Sequence, residues 1–229
     1  MKVPEVDSSG EMVADLYAQL HRYAEDINQL MLQRNQLIAS NSAQLEAAMR
    51  DPLTGLLNRR LLDARIDQAI LNDLRRPSGF ALFYIDLDKL KPINDRYGHA
   101  VGDAALKLQS ERMVNAVRKV DSVARVGGDE FIIVTEGLAD TKEIAVVANK
   151  LLVALSQPIG LGEHSLKMGA SIGVVRFPMD ATCAAELYRL ADQMMYAVKH
   201  SGGGRFRIAG VDGVSAHLLE IERPGSGES

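Results

Sequence analysis

The chain of 229 residues contains no tryptophan and a single cysteine, Cys183. A lone cysteine excludes an internal disulfide and a cysteine-based zinc site, and it fits a reducing compartment. No apolar run approaches the roughly 18 residues that a membrane-spanning helix needs. The start, Met1 to Asp7, lacks the apolar core of a signal peptide. These absences predict a soluble, cytoplasmic protein without a membrane span. Positive charge is not in excess either. With 26 basic and 30 acidic residues the net charge is −4, which argues against a general nucleic-acid binder. A nucleotide site in such a chain needs local neutralisation by a metal ion and a few lysines.

Proline and glycine are missing from Glu11 to Met49, where helix formers dominate. Val13, Tyr17, Leu20, Ala24, Ile27, Met31, Ile38 and Leu45 form a stripe that steps by four and three residues. Arg34 and Asn41 fall on the same stripe. This is heptad spacing, and a polar pair within it suits a registered coiled-coil seam better than a globular core. The pattern predicts a helical dimerisation or signalling segment over 11–50, a parallel homodimer, and a loose N-terminus over 1–10.

Asp51-Pro52 breaks that helix. A second helix is expected over about Asn58 to Arg75, with Leu61, Leu62, Ala64, Ile66, Ala69, Ile70 and Leu74 as its buried face. Phe80 to Ile85 is an unbroken apolar run, the pattern of a central strand covered on both faces. Asp86 is then expected just beyond the strand, with a short helix opening near Asp88 or Lys89. Further helices are expected over 100–120, 141–156 and 184–199, with strands over 167–176 and 205–209. Residues 210–229 read as a disordered tail. The alternation predicts an α/β (α+β) sandwich with helices covering a mixed, mostly antiparallel sheet.

The chain turns around Arg125-Val126-Gly127-Gly128-Asp129-Glu130. Two apolar runs, Val123 to Val126 and Phe131 to Val134, flank paired glycines, which predicts a tight hairpin with positive φ at the turn. Such a turn holds Asp129 and Glu130 at a sheet end, where Asp86 can meet them. Two carboxylates plus substrate phosphates are how Mg²⁺ is commonly held.

Several segments resemble the GGDEF family of diguanylate cyclases, in the family's order. They are Asp51-Pro52-Leu53-Thr54-Gly55-Leu56-Leu57-Asn58-Arg59-Arg60, Asp86-Leu87-Asp88-Lys89-Leu90-Lys91-Pro92-Ile93-Asn94-Asp95, Tyr97-Gly98-His99, Gly102-Asp103, the Gly-Gly-Asp-Glu-Phe hairpin, Ala170-Ser171-Ile172-Gly173, and Ala191-Asp192 through Lys199. The resemblance covers about residues 51–209 and implies a palm-like nucleotidyl cyclase fold. It implies condensation of two GTP into cyclic di-GMP and two pyrophosphates across a homodimer, with Mg²⁺ as cofactor and Mn²⁺ as a substitute. It assigns Asp86, the Leu87 carbonyl, Asp129 and Glu130 to metal, and Lys91 and Lys199 to the triphosphate. Asn94 and Asp103 match its guanine-reading positions, and Gly127 and Gly128 let phosphate approach the backbone. Asp129 or Glu130 is the implied proton acceptor, and Lys91 is placed to stabilise charge on the reacting phosphates.

Arg118-Lys119-Val120-Asp121 resembles the family's Arg-x-x-Asp product-inhibition motif. The segment between it and Gly127 spans roughly 16 Å at ~3.3 Å per residue, so cyclic di-GMP bound there is expected to inhibit non-competitively. Two departures stand out. Leu90 replaces an aromatic residue common among relatives, and Arg205 is displaced by extra glycines, so no phosphate role carries over to it. Two other readings compete: a silent domain that binds GTP or cyclic di-GMP, and a related cyclase with a mixed or adenine product. All the acids of the motif are present, which disfavours the first. Asp103 disfavours the second, because adenine lacks the donors it would accept from. No sensor is recognisable, so any upstream partner is unknown from the sequence.

Overall fold

The computed structural model describes residues 8–161 and 164–211. Residues 1–7 and 212–229, and with them most of the expected loose ends, lie outside the described residues. The chain divides into two compact units, Met1–Ala48 and Met49–Ser229.

The first unit is one helix, α1 (Ser8–Ala48). Ser8, Ser9 and Gly10, expected to be loose, are already helical, because extending a formed helix adds hydrogen bonds without a new nucleation step. The helix ends at Ala48, since Arg50 leaves the helical path to form an antiparallel bridge with Leu57. Leu16, Tyr17, Leu20, Tyr23, Ile27, Leu30, Met31, Leu37 and Ile38 are all more than half exposed.

In the second unit, α2 (Arg59–Arg75) is capped by the Asn58 side chain, which accepts from the Leu61 N–H at 3.1 Å. Its buried face is narrower than the sequence suggests. Leu62, Ile66 and Ala69 are buried, whereas Ala64 and Leu74 are exposed. Asp73 is buried instead, because its Oδ1 accepts the Ser78 and Gly79 N–H groups at 2.8 and 2.6 Å and ties down the loop to β1 (Phe80–Asp88). Next come α3 (Leu90–Tyr97), α4 (His99–Ala116), β2 (Ser122–Arg125), β3 (Glu130–Glu136) and α5 (Thr141–Ser156). They are followed by β4 (Ile159–Leu161), β5 (His164–Leu166), β6 (Gly169–Phe177), α6 (Ala184–His200) and β7 (Phe206–Ile208). The β4–β5 hairpin forms a separate sheet and is not anticipated by the sequence.

The main sheet has five strands in the order β2-β3-β1-β6-β7, antiparallel throughout except for the β6–β7 pair. This is the expected mixed α/β architecture. The alternation of side chains along a strand explains the unbroken apolar run in β1. Ala81, Phe83, Ile85 and Leu87 enter the core shared with α4 and α5. Phe80, Leu82 and Tyr84 enter the core shared with α2 and α6. Gly173 in β6 lies directly beneath α6, and a Cβ there would collide with the Ala191 carbonyl and the Met195 N–H. Absence of a side chain at that point sets how closely α6 approaches the sheet.

Candidate active site

Asp86 is not beyond the strand but two residues before its end, paired with Glu130 of β3 on one side and Ser171 of β6 on the other. Alternation puts it on the same face as Tyr84, under α6. That face is apolar up to Tyr84 and then turns acidic, with Asp86 and Asp88. The Asp86 residue is only 4% exposed. Its Oδ2 accepts from Lys199 Nζ at 2.7 Å, while its Oδ1 is buried without a partner. Burial pushes the Asp86 carboxyl up; Lys199 opposes this, and the neighbouring Asp129 and Asp88 carboxylates reinforce it.

The hairpin that carries Asp129 is closed by the Val126 and Gly127 N–H groups, which donate to the Glu130 carbonyl at 3.0 and 3.4 Å. Neither Gly127 nor Gly128 has positive φ, contrary to the tight-turn expectation. The turn is wide enough to be made without left-handed residues. At Gly127 a Cβ would meet the Glu130 carboxylate, so the glycine leaves that side chain its place beside the turn. Gly128 faces open space. Two residues, Leu87 and Arg125, fix the tip. The Leu87 N–H donates to the Asp129 carbonyl at 3.0 Å. In an extended strand a residue's N–H and carbonyl leave on the same edge, so the Leu87 carbonyl also faces the hairpin. Arg125 donates to the Gly128 carbonyl at 3.2 and 2.8 Å and to the Asp51 carboxylate at 3.1 and 3.2 Å. Tyr84 hydrogen-bonds Glu130, and burial, together with the charges of Glu130 and Asp192, pushes its phenol up to about 12.

Lys199 stands in the last turn of α6. Burial alone would lower its ammonium, but Asp86, Asp129 and Asp88 outweigh that and raise it. Behind it, Gly202, Gly203 and Gly204 all have positive φ, and they wrap the chain around Asp88. Asp88 Oδ2 accepts the Gly204 N–H at 3.1 Å and its Oδ1 accepts the Ser171 hydroxyl at 2.9 Å. Asp88 therefore joins β1, β6 and the loop after α6 rather than offering a free carboxylate.

Helices α3 and α4 carry the remaining candidates. Lys89 enters α3 in the left-handed region, φ 71°, and Lys91 follows, exposed. Asn94 Oδ1 is buried without a partner, against Gly102, where any Cβ would overlap it. Gly102 is thus the space that admits Asn94 between the helices. Asp103, the next residue, is exposed.

The second motif lies at the far end of β2, separate from the hairpin tip. The Arg118 N–H donates to Asp121 Oδ2 at 2.8 Å, and Asp121 Oδ1 is buried and unpartnered. Burial pushes the Asp121 carboxyl up, against the Arg118 N–H and charge. Arg118 and Asp121 line a cavity of about 550 Å³ together with Arg50, Arg65, Val114 and Val120. Arg50 and Arg65 were not singled out by the sequence.

Among the described residues, no group of three or more acids, histidines or cysteines is assembled around a single point. The orphaned Asp86 Oδ1, with the Asp129 carboxylate close enough to act on Asp86, nonetheless fits a divalent cation that draws its other oxygens from phosphate and water. Sequence reasoning missed Tyr84, Asp88, Ser171 and Gly102 as supporting residues. Period-two alternation from Tyr84 through Asp86 to Asp88 is the signal that could have placed two of them on the site's face.

Comparison with known proteins bears on this arrangement. Residues 48–205 match the family model described as diguanylate cyclase, GGDEF domain. The bifunctional diguanylate cyclase/cyclic di-GMP phosphodiesterase MucR of Pseudomonas aeruginosa is 40% identical over 166 residues, which are 72% of this chain and 24% of MucR. The diguanylate cyclase TpbB of the same species is 32% identical over 197 residues, 84% of this chain and 45% of TpbB. This chain therefore spans less than half the length of either relative. The solved GGDEF domain of TpbB superposes with a TM-score of 0.68 at 34% identity, covering 70% of this chain and 94% of that domain. The fold, the acidic hairpin and the matched residues have one explanation: the chain belongs to the GGDEF domain family of diguanylate cyclases.

Proposed function

We propose that this protein is a diguanylate cyclase that condenses two GTP into cyclic di-GMP and two pyrophosphates. The observation that carries the reading is Asp86, a buried carboxylate with one unpartnered oxygen, facing Glu130 across the strand and held beside Asp129. Asp86, Asp129 and the Leu87 carbonyl would hold Mg²⁺ or Mn²⁺, with Glu130 assisting. When bound, the ion would polarise the α-phosphate and lower the pKa of the attacking 3′-hydroxyl. Lys91 and Lys199 bind the triphosphate, and Lys91 offsets charge on the departing pyrophosphate. Gly127 and Gly128 leave the hairpin backbone open to phosphate. Asn94 and Asp103 read guanine, and Asp129 or Glu130 accepts the 3′-hydroxyl proton.

One domain holds one GTP, and the product has two-fold symmetry, so two domains must face each other. The exposed apolar stripe of α1 supports a parallel coiled coil that raises their effective concentration. Residues 11–50 then serve dimerisation and signalling, 51–209 catalysis. Arg118 and Asp121 bind cyclic di-GMP as an inhibitor, in a cavity whose arginines suit guanine edges and phosphates. The test is substitution at the carboxylates. Asp86→Ala and Asp129→Ala should each abolish turnover of GTP while circular dichroism stays native. Near-wild-type synthesis by either folded variant would remove the metal model.

A further inference from the structure

We infer that Lys199 is the resident counter-ion of Asp86 and that a divalent cation must displace it, so that metal and nucleotide bind cooperatively through one mobile side chain. The inference rests on the reading of this site as a metal-dependent nucleotide site.

The two partners of the ion pair are unequal. Asp86 is fixed in the central strand, and its side chain is 6% exposed; the Lys199 side chain is 45% exposed. The backbone around Lys199 does not need to move. The Ser201 N–H donates to the Ala197 and Val198 carbonyls, the Gly203 N–H to Val198 at 3.1 Å, and the Gly204 N–H to Asp88. Only the four-carbon stem has to swing. The ammonium satisfies one oxygen of Asp86 and leaves the other buried and bare, which costs free energy. Asp88 is already satisfied by Ser171 and Gly204, so the uncompensated acids are Asp86 and Asp129. A single ammonium under-neutralises these two carboxylates, whereas a divalent cation matches them.

Once a cation takes Asp86, Lys199 loses its partner and is repelled. With metal alone, the ammonium has no anion to receive it. With a triphosphate present, it has one. Metal alone therefore binds against the resident lysine, and nucleotide restores what the metal displaces. By linkage, each ligand strengthens the other by the same factor.

The experiment measures Mn²⁺ binding to the full chain by the loss of the free-ion paramagnetic resonance signal. It is run with and without 3′-deoxy-GTP, which lacks the attacking hydroxyl, so no turnover occurs. All titrations are run at pH 8, well above the ordinary carboxylate range. Lys199→Met keeps the length of a side chain that is half in solvent, and Lys199→Arg keeps the charge. The expected result is that Lys199→Met binds Mn²⁺ alone about tenfold more tightly than wild type. Its enhancement by 3′-deoxy-GTP should shrink by a similar factor, within the usual coupling range of roughly 5–150-fold, while Lys199→Arg stays near wild type. Equal Mn²⁺ affinity, or equal enhancement, in wild type and Lys199→Met overturns the counter-ion role. An Asp86→Asn variant that binds Mn²⁺ as well as wild type would instead show that the metal reading itself is wrong.

Discussion

Removing the Arg125 side chain should loosen the catalytic hairpin and the fold together. Arg125 is the only described side chain that bonds to the hairpin tip at Gly128 and to Asp51 in the turn after α1. The Arg125 and Asp51 side chains are 13% and 17% exposed, so the pair is largely shielded. Arg125→Ala leaves Asp51 with the Thr54 N–H at 2.9 Å and hydroxyl at 2.7 Å, so the carboxylate is weakened rather than orphaned. The exposed Gly128 carbonyl turns to water. Arg125 has two such partners, each hydrogen bond to a charged group being worth about 1.5–3 kcal/mol; residual solvent access and the bonds that Asp51 keeps discount the sum, so the loss should be about 2–3 kcal/mol. At roughly 2–4 °C per kcal/mol for a domain of this size, Tm should fall by about 5–10 °C. Turnover should fall more, by about 10- to 100-fold, since a misplacement of ~1 Å at a reacting centre costs about that much.

Arg125→Lys should recover little of either quantity, because an ammonium cannot span two partners as the guanidinium does. Acidity supplies a further check. Burial alone would raise the Asp51 carboxyl, but Thr54 and Arg125 outweigh it and hold it below its ordinary value. A depressed folded pKa gives stabilisation that is complete above the unfolded value of about 3.9 and lost as pH falls through the folded value. The Tm gap between wild type and Arg125→Ala should thus be widest above about pH 4 and close below it. The assays are thermal unfolding against pH and initial rate of GTP consumption. Unchanged Tm and unchanged rate in Arg125→Ala would refute the claim that this residue holds the tip.

Two further outcomes are expected. Activity per subunit should fall on dilution, and fall again when residues 1–48 are deleted; constant specific activity over a wide dilution series, with a monomer by light scattering, would remove the dimer argument. Arg118→Ala should weaken inhibition by added cyclic di-GMP by roughly tenfold or more with little change in the KM for GTP, since one bidentate guanine contact is worth about 1–3 kcal/mol. Overlaying inhibition curves would reduce Arg118 to a surface charge.

Much of the scaffold can be read directly from local pattern. The run Phe80 to Ile85 announces a strand buried on both faces, and the two cores confirm it. Asn58 and Asp140 cap α2 and α5 where composition places the helix starts. The errors come from effects that local pattern does not carry. The strand continues to Asp88 because β6 pairs with it that far, despite its two acids. Gly127 serves a side chain three residues away rather than a left-handed backbone. The β4–β5 hairpin has three residues per strand, too few for alternation to register. Asp73 is buried for its bonds to Ser78 and Gly79, which overrides the apolar claim of Leu74. Within the site, Asp86 and Lys199 are legible as candidates, but their pairing across 113 residues is not. The same holds for Ser171 with Asp88 and Arg125 with Asp51, separated by 83 and 74 residues. Such contacts are set by strand order and by how closely α6 sits on Gly173.

The most direct test of the proposed chemistry is to incubate the purified chain with GTP and Mg²⁺ and identify the products by mass spectrometry and a pyrophosphate assay. Cyclic di-GMP should accumulate with two pyrophosphates released per product, and ATP in place of GTP should give no cyclic dinucleotide. Intact GTP after prolonged incubation with a folded, dimeric protein, or a cyclic dinucleotide formed from ATP, would contradict the account.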